Sequence, residues 1–375
     1  MNAHALSHPT LRRSAQALLA GAVLALAAGC AATDPAAQQT AAATAAPAAP
    51  SWTVSAQIID MPAGVYQSAY STRTQHFYIA SAIGRPPVKE SHLLAFDPVS
   101  QRVVASVVPA LQASRTDGQV QAVYGVTTDD AHGQVWATNT RSGSVAVYRQ
   151  SDLSLVKQFP EGAAPHARDV VIDAAHNRAY VSSPVSNLIH VFDTATLQPV
   201  GDIALTGAGE APKLMSLALD ADHQRLYAVS LNTAEVFAID TTTGQQAARY
   251  TVPGAQAASG LAVDVQAQRL YVVAQKSGDL TVLDARNGQV LQHVATGAGA
   301  LNVAFDPVNR LAYVANRGAG TITVLDDQGV IQAQVDTGSA PNHIALDPQG
   351  TAWALVKKSK NDPRGDRMVR IEARR

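Results

Sequence analysis

Cysteine is nearly absent: Cys30 is the only one in 375 residues. A single thiol excludes an internal disulfide framework and any site built from several cysteine ligands, so stability has to come from burial. Aromatic residues make up only 5% and charged residues 15%, with 28 basic against 29 acidic side chains and a formal net charge of −1. That balance provides no bulk attraction to nucleic acid or to an acidic surface. Long apolar runs are missing too. An uncharged stretch near the start, Ser14 to Ala28, is dominated by Ala and Leu and falls short of the roughly 20 strongly apolar residues that a spanning helix needs. There is neither a Gly-x-Ser-x-Gly nucleophile elbow nor a glycine-rich phosphate loop, which removes the two commonest sequence signatures of acyl and phosphoryl transfer.

What the first fifty residues do contain is an export pattern. Arg12 and Arg13 precede the short apolar stretch, which ends at Ala28-Gly29-Cys30. Charge, then a short apolar segment, then small residues describe a signal peptide, not a fold element. Small residues directly before a cysteine resemble the bacterial lipobox, although Ala27 stands where that motif usually has Leu. The resemblance implies a signal peptide over 1–29 and diacylation of Cys30, which would anchor the chain in a membrane. Residues 30–50, rich in Ala, Thr and Pro with Asp34 as their one charge, cannot bury a core and read as a flexible tether. Ala31 is not the Asp that commonly retains lipoproteins in the inner membrane, so the expected location is the periplasmic side of the cell envelope, at the inner leaflet of the outer membrane.

Residues 51–375 are organised by repetition. An aromatic residue flanked by apolar neighbours recurs seven times, at Tyr78, Trp136, Tyr180, Tyr227, Tyr271, Tyr313 and Trp353. The spacing is about 45 residues after a longer first interval, a period that marks propellers and solenoids. Asp129, Asp173, Asp220, Asp264 and Asp306 each stand the same distance before the aromatic, with Asp347 one place nearer to Trp353. Every repeat breaks into four short runs rich in Val, Leu, Ile and Tyr between Asp, Asn and Gly turns, as expected of strands. Many of these runs are apolar on both faces, as a sheet packed between two neighbours requires. The fold class expected is therefore all-β, a seven-bladed β-propeller of four-stranded blades. The last repeat offers one strand too few after Trp353, and Thr53–Ile59 is left over ahead of the first. Pairing them would complete the last blade and remove two exposed edges.

The pattern Pro-x-x-x-x-Val-x-x-Asp, then Arg-x-Tyr-Val, then Val-x-Asp-x-x-x-Gly resembles the YVTN-type, YncE-like β-propeller family over about Trp52 to Glu372. The resemblance implies the fold and says little about function. Trp replaces Tyr in two repeats, and Ala82–Ser91 reads as an insertion in the first.

In a propeller the ligand face is made by loops entering the inner strand and loops joining the second strand to the third. Here those loops carry Arg85, Lys89, Arg141, Lys276, Arg317, Lys357, Lys358 and Lys360, together with His166, Arg168, Lys213 and His343. Acidic residues are few among them, and the opposite turns collect most of the Asp. A concave mouth of one sign concentrates anions, and Arg and Lys suit carboxylate or phosphate groups. Four residues before each Asp marker, a ring position reads Gln67, Gly125, Asp169, Ser216, Gly260, Asn302 and His343, a mixed set suited to a small polar ligand if any. His132, His176 and His223 share one repeat position, but they lie on turns of successive blades. They therefore point away from any common centre, and neither a metal site nor a cofactor is expected.

The expected role is a non-catalytic binding or scaffold module that meets an anionic small molecule, a polyanion or an envelope protein partner through its basic mouth. The alternative is a lactonase- or lyase-type propeller enzyme with His343 or His166 as general base. Single-stranded nucleic acid has the least support, because the cations are not interleaved with enough aromatics; Tyr66 and Tyr124 are the two near the mouth.

Overall fold

The computed structural model describes residues 52–360 and 362–375; the predicted signal, lipidation and tether segments lie outside them. The described residues form twenty-eight β-strands and no helix, arranged as seven four-stranded antiparallel sheets in a ring. Blade 1 is β2 (Val65–Ser71), β3 (His76–Ile83), β4 (Glu90–Asp97) and β5 (Arg102–Val107). Blades 2 to 6 repeat that order: β6–β9 (Gly125 to Gln158), β10–β13 (Val170 to Ala204), β14–β17 (Leu214 to Thr251), β18–β21 (Ala258 to Ala295) and β22–β25 (Ala300 to Asp336). Blade 7 is β26 (Ala340–Leu346), β27 (Ala352–Lys357) and β28 (Arg367–Arg374), completed by β1 (Thr53–Asp60). The closing pair runs antiparallel from Thr53 opposite Arg374 to Asp60 opposite Arg367, so the two ends of the ring are held by backbone hydrogen bonds.

Burial explains the strand order. Second and third strands are almost wholly buried, as in β7 (Gln134–Asn139) and β8 (Ser144–Arg149), whereas outer strands alternate, as in β5. The aromatic markers fill the gaps between blades. Trp353 of blade 7 packs against Phe77 and Phe96 of blade 1, and Trp136 of blade 2 against Phe159 and Phe192. The turn between first and second strands needs a left-handed residue, and Gly133, Asn177, Gln224, Gln268 and Arg310 supply it with φ from 51° to 64°.

The first blade differs from the expectation in where its extra length lies. Ala82 pairs with Ser91 and Ile83 with Glu90, so the ends of the predicted insertion extend the β3–β4 hairpin and leave only a short loop between them. Most of the excess in the long first interval lies in the segment between Val107 and Gly125, where Leu111 bridges Val120 and the Val120 N–H donates to the Val88 carbonyl. Its end packs Val120, Ala122 and Tyr124 with Ala82, Val88 and Tyr66 into a small apolar cluster. The insertion thus builds one wall of the mouth.

Candidate functional site

Five of the seven inner strands bend near the ring position; those of blades 2 and 3 pair without a shift. Register shifts fall between Val65 and Ser68, Leu214 and Leu217, Ala258 and Gly260, Ala300 and Asn302, and Pro341 and His343. A bulge frees backbone groups from the blade's own ladder, and side chains from the preceding blade take them up. Asp169 accepts from the Leu217 N–H at 3.0 Å, Asn302 from the Ile344 N–H at 2.9 Å, and His343 Nδ1 from the Ser68 N–H at 3.3 Å. Carbonyls two residues earlier are bound in the same sense: Thr138 donates to Arg168, Ser182 to Met215, Ser259 to Leu301 and Asn342 to Tyr66. The ring read as a ligand channel is therefore largely a belt of blade-to-blade hydrogen bonds. Gly125 fits this belt because it has no side chain: a Cβ there would lie 2.5 Å from the Arg168 carbonyl and 2.7 Å from Gln67 Oε1.

The belt also settles the state of His343. Accepting at Nδ1 places its proton on Nε2, and burial, with help from Arg168, lowers its pKa to about 3. It is a neutral donor towards the channel and has no lone pair free to act as a base. The general-base role considered for His343 is thus incompatible with its hydrogen bond. Beside it, Arg168 and Asp169 are neighbours in the channel wall. Burial works against both charges, lowering the pKa of Arg168 and raising that of Asp169, while their mutual attraction and the N–H groups of Leu217 and Val170 hold the ionised forms.

Above the belt, the loops bring four of the candidate cations, Lys357, Arg141, Arg317 and Arg168, around one tyrosine, with His166 near two of them. Tyr66 and Tyr124 meet edge to face with ring centroids 4.7 Å apart. Lys357 Nζ sits 3.5 Å from the Tyr66 centroid, and the Arg141 guanidinium lies 5.9 Å from that of Tyr124. Arg317, Arg141 and Arg168 all act electrostatically on the Tyr66 phenol, whose pKa is nonetheless raised by burial, with Tyr124 adding to the rise. His166 is half-buried, and burial, then Arg141 and Arg168, lower its pKa, favouring the neutral ring. Burial pulls Lys357 down to about 8; Asp366 opposes that shift and Arg317 adds to it.

Among the described residues, Arg141, Arg168, Arg317 and Lys357 form no ion pair with any carboxylate. Asp366, buried near Lys357, spends its oxygens on the backbone N–H groups of Gly64, Val65 and Lys358. Its one signal in the sequence was a position just before the last strand, which singled out nothing. Arg85, Lys89, Lys213, Lys276 and Lys358 are exposed on surrounding loops and make no contact of the kinds that join the four. Lys276 instead edges a shallow groove with Gly278 and Gly297.

The opposite face is organised differently. Buried Asp129, Asp173 and Asp220 accept from His132, His176 and His223 three residues later in their own turns. Arg178 pairs with Asp193, Arg225 with Asp240, and Arg310 with Asp264 and Asp327. No cluster of three or more metal-ligating side chains occurs among the described residues. A concavity of about 680 Å³ lies at the blade 2–blade 3 margin, away from the mouth, lined by Phe159, Phe192, Leu197 and Pro199 with Lys157 and Asp202. Its walls are mainly apolar and no set of like charges converges on it.

With this geometry in place, comparison with known proteins gives the architecture alone. No protein-family model matches the chain, and no curated protein matches it. Solved propellers do. A chain of Kuenenia stuttgartiensis hydrazine synthase is similar at 17% identity, over 84% of this chain and 97% of that one, with a TM-score of 0.65. A streptogramin B lyase structure is similar at 12% identity, over 86% and 98%, with a TM-score of 0.66. A structure of U3-55K is similar at 10% identity, over 84% and 98%, with a TM-score of 0.69. These three bear unrelated names on one shape, so function has to be argued from the site.

Proposed function

We propose that this chain is an envelope lipoprotein of the YVTN-type, YncE-like propeller class, acylated at Cys30, whose seven-bladed ring is a non-catalytic binding module for an anionic ligand. The observation that carries the reading is the convergence around Tyr66 of Arg141, Arg317 and Lys357, none of them ion-paired with a carboxylate, together with Arg168, whose neighbour Asp169 is taken up by backbone N–H groups. Unpaired cations in a partly desolvated setting repel one another, and an anion relieves that repulsion while the guanidinium groups bind it through paired N–H donors. Lys357 covers a face of Tyr66, which disfavours flat stacking of a base or sugar on that ring. Small multivalent carboxylates or phosphates therefore fit better than nucleic acid.

The test is a binding screen of the full chain carrying Cys30→Ser against citrate, phosphate, an anionic polysaccharide and single-stranded DNA, at low and moderate salt. Saturable binding of a small anion that weakens with salt and with Arg141→Ala and Arg317→Ala supports the reading. Absence of binding to every anion rejects it and leaves an envelope protein partner on the exposed loops as the reading to pursue.

A propeller enzyme of lactonase or lyase type remains a second reading, favoured by one observation: His166 keeps a neutral imidazole at the mouth, and a lyase-named propeller shares the fold. Turnover of lactones or esters that is lost in His166→Ala with the fold intact would support it; an inactive wild-type chain across a broad panel would remove it.

A further inference from the structure

Lys357 differs in its setting from the other lysines on the mouth loops. It ends the buried strand β27, and its amine lies against the Tyr66 ring with Arg317 on the mouth side. The nearby carboxylate, Asp366, is already committed to three backbone N–H groups. Lys89, Lys213, Lys276, Lys358 and Lys360 are exposed to water. The Tyr66 ring face attracts the ammonium form, but burial of the amine and the Arg317 guanidinium beside it outweigh that attraction, and a lysine amine partly buried next to another cation is how such amines become nucleophiles towards carbonyl groups. The same neighbours, Arg141, Arg168 and Arg317, are placed to hold a carboxylate within reach of that amine.

We propose that the mouth takes oxo-acids, small carboxylates bearing an aldehyde or ketone, and that Lys357 condenses with their carbonyl group to form a reversible imine. The proposal rests on the anion-binding reading above and names its ligand class. The neutral amine of Lys357 attacks the carbonyl carbon, forming a C–N bond while the π electrons move to oxygen, which takes up a proton. The resulting carbinolamine loses its hydroxyl as water, with the second amine hydrogen leaving as a proton, so amine and carbonyl give imine and water with no oxidant or reductant. The lowered pKa of about 8 is consistent with the geometry: at neutral pH it leaves roughly 200–300-fold more free amine than an exposed lysine has. The neutral His166 ring at the same mouth can accept a proton in the dehydration steps.

The experiment uses the full chain carrying Cys30→Ser, incubated with pyruvate and cyanoborohydride, which reduces an imine to a stable secondary amine, followed by peptide mapping. Lactate, which has the carboxylate but no carbonyl, and acetone, which has the carbonyl but no carboxylate, are run alongside. The expected result is modification at Lys357 at least about tenfold faster than at Lys213 or Lys276, abolished at that position in Lys357→Arg, and slowed in Arg317→Gln. Lactate gives no adduct and acetone gives one slowly. Modification spread evenly over the exposed lysines, or none at Lys357, overturns the proposal. Calorimetry with lactate and citrate separates the two levels: binding of either without a Lys357 adduct refutes the imine and spares the anion reading, whereas no adduct together with no binding of any anion in the screen refutes both.

Discussion

The two faces of this propeller carry comparable numbers of charges and use them in opposite ways. On the underside most acidic residues answer a local demand. Asp193, Asp240 and Asp326 accept the N–H groups of their own turns, Asp129, Asp173 and Asp220 hold a turn histidine, and the arginines there find carboxylates. That face is electrostatically self-contained. At the mouth Asp366 is buried and Asp169 half-buried, and both are bound to backbone N–H groups, while Arg141, Arg317 and Lys357 make no ion pair among the described residues. Charges consumed by architecture and charges left available can be told apart by their partners, and only the second kind suggests a ligand.

This comparison can be broken experimentally, beginning with the largest expected effect. Asp264→Ala removes the buried partner of Arg310 and an acceptor for the Ala267 N–H. It should lower stability by about 2–3 kcal/mol, between the values for exposed and buried pairs, and leave anion binding at the mouth unchanged; urea unfolding beside calorimetry checks both halves. Gly125→Ala should cost about 1–3 kcal/mol, as overpacking does, because its Cβ would meet the Arg168 carbonyl and the Gln67 amide. Unlike the first substitution, it should also weaken binding by shifting Arg168. Neutralising the mouth with Arg141→Ala and Arg317→Ala, both exposed, should move stability by no more than about 0.5 kcal/mol in either direction. A marked loss of stability there would show that these arginines are structural after all.

A separate effect appears only on acidification. His343 has a folded pKa of about 3 against 6.5 unfolded, so the unfolded chain binds the extra proton in that window. Its contribution to stability is whole above about pH 6.5 and is lost progressively as pH falls towards 3. His343→Asn can still accept from Ser68 and carries no titrating ring, so its stability should decline less steeply over that range. Parallel denaturation curves at several acid pH values check this, and identical slopes would mean that His343 is not held neutral.

How much of this was legible in the sequence follows from the range of the interactions. The seven aromatic markers, and the Asp before six of them, recur at one period, and one strand is left over ahead of the first repeat, so the blades and their closure could be read from short-range pattern alone. The mouth was legible as a set of loops but not as a cluster. Which cations meet depends on how loops from blades 1, 2, 3, 6 and 7 curve towards Tyr66, and nothing local in the chain separates Arg317 from Lys276. The belt of side chains bonding the next blade was hidden for the same reason: Asp169 and Leu217, or His343 and Ser68, are far apart in sequence and meet only because the ring closes. In the first blade, Gly84, Pro86 and Pro87 drew the eye to the hairpin end, whereas the longer excess between Val107 and Gly125 lacks a repeat marker and could be located only from its contact with Val88.

The most direct test is a calorimetric titration of citrate into the full chain carrying Cys30→Ser, compared with two paired variants, Arg141→Ala with Arg317→Ala at the mouth and Arg178→Ala with Arg225→Ala on the underside. Saturable, salt-sensitive binding that falls by about 100-fold or more in the mouth variant and is retained in the underside variant is the predicted result. Equal loss in both variants, or no binding by the unaltered chain, would contradict the claim that the unpaired cations around Tyr66 form a ligand site.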